Sequence, residues 1–116
     1  MHELGIMTGV VESVEQAARD AGALRVTKVN LVVGVMTEAI ADALQFAFDM
    51  LKEDTLLAPA ELEIQMVEPR SQCMECGAEY THDRFDMACP ECGSVFTKLV
   101  AGRELQIDSI EVDLPD

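Results

Sequence analysis

At 116 residues the chain is one modest domain, or a small domain carrying a smaller module. Apolar residues make up 49% but aromatics only 4%, so the core is aliphatic, with seven methionines available to fill it. A formal charge of −14 argues against nucleic acid or an anionic membrane as partner and suits a protein that meets cations or basic proteins. No apolar run of about 18 residues is present to span a bilayer. The start lacks the basic residues of a signal peptide, and the cysteine usage described below fits a reducing compartment, so the expected location is the cytoplasm.

The chain opens Met1-His2-Glu3. A free α-amine, the His2 backbone nitrogen and the His2 imidazole can chelate one ion in adjoining rings. A tetragonal set of such nitrogens suits Ni(II) or Cu(II) better than Zn(II). The Glu3 amide or carboxylate could complete the set. Taken alone, the tripeptide reads by default as a frayed, functionless end.

From Ile6 to Ala21 the apolar residues Met7, Val10, Val11, Val14, Ala17, Ala18 and Ala21 recur at helical spacing, and Gly22 is a natural stop. Glu12, Glu15, Gln16 and Arg19 are expected to face water. Leu24 to Val35 reads as a long strand in which Val26 breaks parity with Val29, a sign of a bulge or of a late start to pairing. Thr37 is the expected N-cap of a second helix, with Glu38 in its first turn and Ile40, Ala43, Leu44, Ala47, Phe48 and Leu51 as its buried stripe. After a connector at Thr55 to Pro59, Leu62, Ile64 and Met66 alternate with polar residues in a strand that Pro69 ends. Leu105 to Val112 gives a closing strand.

Between these last two strands lie Cys73-Met74-Glu75-Cys76-Gly77 and Cys89-Pro90-Glu91-Cys92-Gly93, with twelve residues separating Cys76 from Cys89. Two Cys-x-x-Cys pairs can supply the four corners of a tetrahedral zinc site, and each glycine falls where the knuckle needs a left-handed backbone. Reduced thiols or two disulfides would leave the pairing and the glycines unexplained. A site with four protein ligands has no open position, so this zinc is structural rather than catalytic. Ribbons of this kind often bind nucleic acid. Here Arg70, Arg84, Lys98 and Arg103 are outnumbered by Glu75, Glu79, Asp83, Asp86 and Glu91, which argues against it. His82, between the knuckles, reads as a surface residue or a near neighbour of the metal. No catalytic triad order or phosphate loop is present.

The expected fold is α+β: a small mixed sheet with two helices, plus an inserted zinc-ribbon module. The strands flanking the insertion are expected to pair antiparallel, as a hairpin with the ribbon at its tip. A strand–helix–strand crossover is expected from Leu24 to Met66.

Taken together, Met1-His2-Glu3, Val32-Val33-Gly34, Leu44-x-Phe46-x-Phe48, the Cys73-x-x-Cys76…Cys89-x-x-Cys92 ribbon and the closing Leu105-Gln106-Ile107…Ile110-Glu111-Val112 strand resemble the HypA/HybF hydrogenase maturation proteins. The likeness runs over essentially the whole chain. It implies a non-enzymatic nickel metallochaperone with a nickel domain at 1–69 and 103–116 and a zinc-ribbon domain at 70–102. His2 would be a nickel ligand, with the Met1 amine contributing and Glu3 nearby, and Cys73, Cys76, Cys89 and Cys92 would bind structural zinc. Implied partners are a nickel-handling GTPase (HypB) and the large-subunit precursor of nickel–iron hydrogenase, with urease a further recipient in some bacteria; monomer and homodimer both stay open. Glu38 or Asp42 could add an oxygen ligand if their helix packs near the terminus. The competing reading is a zinc-ribbon module that binds a protein or nucleic acid without delivering metal.

Overall fold

The computed structural model describes residues 3–116; Met1 and His2, which carry the expected terminal chelate, lie outside the described residues. Strand β1 (Arg25–Gly34) is the centre of the main sheet because Val26, Val29, Leu31 and Val33 are all buried, an apolar edge that cannot be left to water. On one side it pairs in parallel with β2 (Glu61–Val67), and on the other antiparallel with a nine-residue strand at Leu105–Asp113. In the antiparallel ladder the register slips between Val26 and Lys28, the bulge that the broken parity of the sequence predicts. One face of this sheet carries Val29, Leu31, Val33, Leu62 and Ile64. The other is polar, with a 2.7 Å ion pair from Lys28 to Glu63 and a 2.9 Å bond from Asn30 Nδ2 to Ser109 Oγ.

Two helices cover the apolar face. Helix α1 (Glu3–Asp20) buries Met7, Val10, Val11, Val14 and Ala18, while Ala17 and Ala21, expected in the stripe, are exposed. Side chains of the Val or Met class contribute about 1.5–3 kcal/mol each when fully buried, enough to hold a helix of this length against the sheet. Gly22 (φ 73°) ends it, and Ala23 N–H reaches back to Ala18 C=O at 2.9 Å. Helix α2 (Ala41–Leu51) buries Leu44, Ala47 and Phe48.

The expected N-cap at Thr37 is not where α2 begins. Thr37 Oγ1 donates to Gly34 C=O at 2.8 Å and accepts from Ala39 N–H at 3.2 Å, closing a 3₁₀ turn at Val35–Thr37. Local bonding of this kind competes with helix formation. Glu38 then takes a left-handed backbone (φ 65°), and the helix starts after an Ile40 that is 63% exposed rather than part of the stripe.

The expected hairpin between the strands flanking the cysteine module also fails, because β1 stands between them. Their alternating glutamates and aspartates suit edge positions, whereas the apolar β1 requires pairing on both sides. Antiparallel closure occurs one level further out, inside the insertion. There β3 (Arg70–Cys73) pairs with both β4 (Glu79–Thr81) and β5 (Thr97–Ala101), giving a second sheet of order β4-β3-β5. The closing strand Leu105–Asp113 is β6. β1 stops at Gly34, and the strands on either side of it converge past its end until Arg70 faces Ala101. The molecule is correspondingly elongated, 58 × 26 × 16 Å.

The convergence point is backbone against backbone. Gly34 N–H donates to Glu104 C=O at 2.7 Å and Met36 N–H to Gly102 C=O at 2.8 Å. A Cβ on Gly34 would lie 2.0 Å from the Gly102 oxygen and 2.5 Å from Arg103 N, atoms that cannot rotate away. Gly34→Ala is therefore expected to cost about 3 kcal/mol or more. Chemical denaturation of the metal-loaded protein reads this, and an unchanged midpoint would show that the joint yields easily.

Candidate metal centre

Each cysteine pair is built by the same local bonding. In the first knuckle Gly77 N–H donates to Cys73 C=O at 3.0 Å and Cys73 N–H to Ala78 C=O at 2.8 Å. In the second, Gly93 N–H donates to Cys89 C=O at 2.8 Å and Cys89 N–H to Ser94 C=O at 2.9 Å. Gly77 and Gly93 hold φ of 78° and 76°, the left-handed turn expected of them, which a Cβ would oppose. The knuckles face each other, with the leading cysteines Cys73 and Cys89 buried and the trailing Cys76 and Cys92 exposed.

All four sulfurs lie within 4.8 Å of one another. Cys73 Sγ is 3.6 Å from Cys92 Sγ, and Cys76 Sγ is 3.6 Å from Cys89 Sγ, far beyond the roughly 2.05 Å of a disulfide. Thiolates bound tetrahedrally at about 2.3 Å stand roughly 3.8 Å apart, so the arrangement fits a four-sulfur metal site. No histidine joins this group among the described residues.

The thiols are not equivalent. Cys73 Sγ accepts N–H bonds from Cys76 at 3.5 Å and Glu75 at 3.4 Å, and these, the Cys76 amide first, hold the thiol down to about 6 against the opposing effect of burial. At Cys92 the Ser94 amide pulls the same way but is outweighed by Cys73, burial and the other two sulfurs, and the thiol is pushed up to about 12. At Cys76 the Ala78 amide is likewise outweighed, chiefly by Cys89 and by burial, so that thiol also rises. Cys73 is thus ready as a thiolate at neutral pH, while Cys76 and Cys92 keep their protons until a cation takes their place.

His82 is neither a ligand nor a plain surface residue. Its Nδ1 faces the Asp83 carbonyl, which can only accept, so Nδ1 carries the proton and Nε2 accepts from the buried Ser71 Oγ at 2.7 Å. The imidazole ties the β3–β4 hairpin together, just before the first knuckle.

The other candidate residues gather at the start of the helices. Glu3 is half-buried at the head of α1, and its Oε2 accepts the Ile40 N–H at 3.0 Å. The head of α2 therefore packs against the N-terminal end of the described chain, bringing Glu38 and Asp42 to that end of the molecule. Glu15, expected to face water, instead accepts the Leu56 N–H at 2.7 Å just beyond α2. The composition pattern could not show either bond. The available signal is that α2 begins at Ile40-Ala41, with no capping side chain of its own.

A two-helix α/β unit carrying a ribbon of four clustered cysteines defines a small protein of the metal-binding class. A family model described as "Hydrogenase/urease nickel incorporation, metallochaperone, hypA" matches residues 1–112. The hydrogenase maturation factor HypA of Rhizobium leguminosarum is 38% identical over 112 residues, covering 97% of this chain and 99% of that one. The factor of the same name from Geobacter metallireducens is 37% identical over 113 residues, covering 97% and 100%. In fold, the chain resembles the solution structure of the Ni metallochaperone HypA from Helicobacter pylori, with a TM-score of 0.69 at 21% identity, covering 99% and 100%. The chain belongs to the HypA family of hydrogenase maturation nickel metallochaperones.

At pH 7 a metal entering the ribbon must displace protons from at least Cys76 and Cys92, while Cys73 is already largely thiolate. Calorimetric titration of metal-free protein with Zn(II), in buffers of different ionisation enthalpy, is expected to show about two or more protons released per ion. Below about pH 6 the Cys73 thiol adds a further proton, so affinity should fall more steeply there. Release of less than one proton would contradict the thiol order.

Proposed function

We propose that this protein is a nickel carrier that binds Ni(II) at its N-terminus and passes it, by ligand exchange, to the large-subunit precursor of nickel–iron hydrogenase, with urease a second recipient. The carrying observation is that the family match begins at residue 1 and so includes Met1-His2-Glu3. His2 and the Met1 amine are the nickel donors, with nitrogens of the adjoining backbone. Few ligands at a chain terminus suit a cargo, because incoming donors can replace them stepwise. Resident zinc sits on Cys73, Cys76, Cys89 and Cys92, where a four-thiolate tetrahedron favours Zn(II) over the oxygen-loving cations and leaves no position for substrate.

In this reading residues 1–69 and 103–116 handle nickel and residues 70–102 form the zinc domain. The chain acts in the cytoplasm with a nickel-handling GTPase (HypB) and has no enzymatic step of its own. Among the described residues no helix is long and apolar enough to cross a membrane. The ribbon offers a docking surface, since Phe85 and Val95 are 82% and 83% exposed on a module that metal holds rigid.

Titrating Ni(II) into zinc-loaded protein with an untagged N-terminus, beside His2→Ala, tests the reading. Wild type is expected to bind about one nickel per chain and His2→Ala to lose it, with zinc content unchanged. If the two bind alike, the terminus is not the nickel site, and the protein is better described as a zinc-ribbon adaptor that docks partners without delivering metal.

A further inference from the structure

A cavity of about 490 Å³ opens in the ribbon between the 83–88 loop and β5. Phe85, Met87, Val95 and Leu99 line it, the buried Ser71 contributes to it, and Arg103 brings it a positive charge. Sites that hold part of another molecule are commonly of this kind, roughly 300–1,000 Å³, mostly apolar, with a few polar groups that fix orientation. Phe85 and Val95 are almost fully exposed to water, so a side chain inserted between them would desolvate both.

The distribution of charge says what kind of segment fits. The chain has eight basic residues against 22 acidic ones. Arg19, Arg25, Lys28, Lys52 and Arg70 all stand in ion pairs. Among the described residues Arg84, Lys98 and Arg103 have no such pair, and all three belong to the ribbon or its exit. Lys98 alternates with Leu99 on β5 and so faces away from the cavity. Arg84 stacks on Phe85, with Cζ 5.0 Å from the ring centroid, which brings a second guanidinium to the cavity wall. The carboxylates of the loop are bonded to its own backbone rather than to these cations. Asp83 Oδ1 accepts the N–H groups of Phe85 and Asp86 at 2.8 and 2.7 Å, and Asp86 Oδ1 accepts that of Ala88 at 3.4 Å.

We propose that this cavity is a docking site for an acidic segment of a partner protein, which inserts one apolar side chain between Phe85 and Val95 and sets a neighbouring carboxylate on Arg103. This rests on the docking role given to the ribbon above, and not on where nickel binds. A guanidinium fork matches a carboxylate through two parallel bonds, and Arg84 adds to the attraction. Elsewhere the formal charge of −14 repels such a segment, so the ribbon gives it one place to land. The same charge weighs against a second copy of this chain as the occupant.

The test is an NMR titration of isotope-labelled, zinc-loaded protein with capped peptides that carry a central phenylalanine flanked by glutamate, by glutamine or by lysine. The glutamate peptide is expected to shift the amides of Ser71, Ala88 and Leu99 saturably. At low salt it should bind about fivefold tighter than the glutamine peptide, and the lysine peptide should not bind. Arg103→Met keeps an apolar stem but removes the fork, and should bring the glutamate peptide down to the glutamine level. Phe85→Ser/Val95→Ser, altered at two exposed positions, should bind neither peptide while keeping its zinc.

Equal binding of the glutamate and glutamine peptides by wild type, or shifts that miss the cavity, would overturn the proposal with no variant needed. So would an unaltered preference in Arg103→Met. A concentration-dependent dimer that Phe85→Ser/Val95→Ser dissolves would put a second copy in the cavity and overturn it too. His2→Ala should bind the glutamate peptide as wild type does. If nickel binding proves indifferent to His2 while the glutamate peptide still selects Arg103, the carrier reading falls and the docking site stands. If nickel behaves as proposed and the peptide does not bind, only the docking site falls.

Discussion

The structure depends on the place where Gly34 meets Gly102. β1 has to be central, because its apolar residues require pairing on both edges, and a central strand blocks the direct pairing of its two neighbours. An insertion between those neighbours can close only beyond the end of β1, and the strand must stop short enough for backbone to cross backbone. Glycine at 34 permits a carbonyl to occupy the space where a Cβ would be. Gly102 supplies the other half, with φ 118° and the Pro69 Cα so close that an added Cβ would lie 2.9 Å from it. The orientation of the ribbon on the α/β unit follows from these two residues rather than from side-chain packing between the sheets.

A second pair of constraints fixes the helices. Glu3 and Glu15 are twelve residues apart on α1, and each carboxylate accepts a backbone N–H at opposite ends of α2: Ile40 before it and Leu56 after it. The helices therefore run in the same direction, and their alignment along the axis is set by two charge-assisted bonds of a class worth roughly 1.5–3 kcal/mol each. The apolar stripe decides which faces meet, but a stripe tolerates sliding by a turn. Directional bonds to fixed amides do not. In a protein with so much negative charge, the Glu3 carboxylate also sits at the head of α2, where partial positive charge awaits it.

The sequence was most informative where a single residue type has few alternatives. Four cysteines in two knuckles, each followed by a glycine, led directly to four sulfurs within bonding reach of one ion, and Gly22 marked the end of α1. The broken parity at Val26 was legible too, and of its two readings, a bulge or a late start to pairing, the register slip between Val26 and Lys28 selects the bulge. What could not be read was how elements choose partners. The antiparallel pairing assumed for the strands at Glu61 and Leu105 was reasonable from chain order, and it failed because sheet order is decided by relative apolarity of whole strands. Thr37 looked like a cap because its side chain can cap. Its hydroxyl went instead to Gly34 C=O, at the end of β1. Glu15 looked solvated because a carboxylate on a helix usually is, and only the tertiary position of Leu56 N–H makes it structural.

One consequence of this arrangement is that the ribbon and the head of the molecule are closer in connectivity than in sequence. Leaving the joint at Gly34, the chain makes the 3₁₀ turn, with Met36 N–H bonded to Gly102 C=O, and then the left-handed step at Glu38. It arrives at Ile40, whose N–H is held by Glu3. Seven residues, nearly all bonded through backbone groups, thus connect the exit of the four-sulfur module to the first described residue of α1. The path contains little free rotation, because the Thr37 hydroxyl locks its middle on both sides. The four-sulfur ribbon and the first described residue of α1 are thus joined by a short path through the Gly34–Gly102 joint and the Glu3–Ile40 bond.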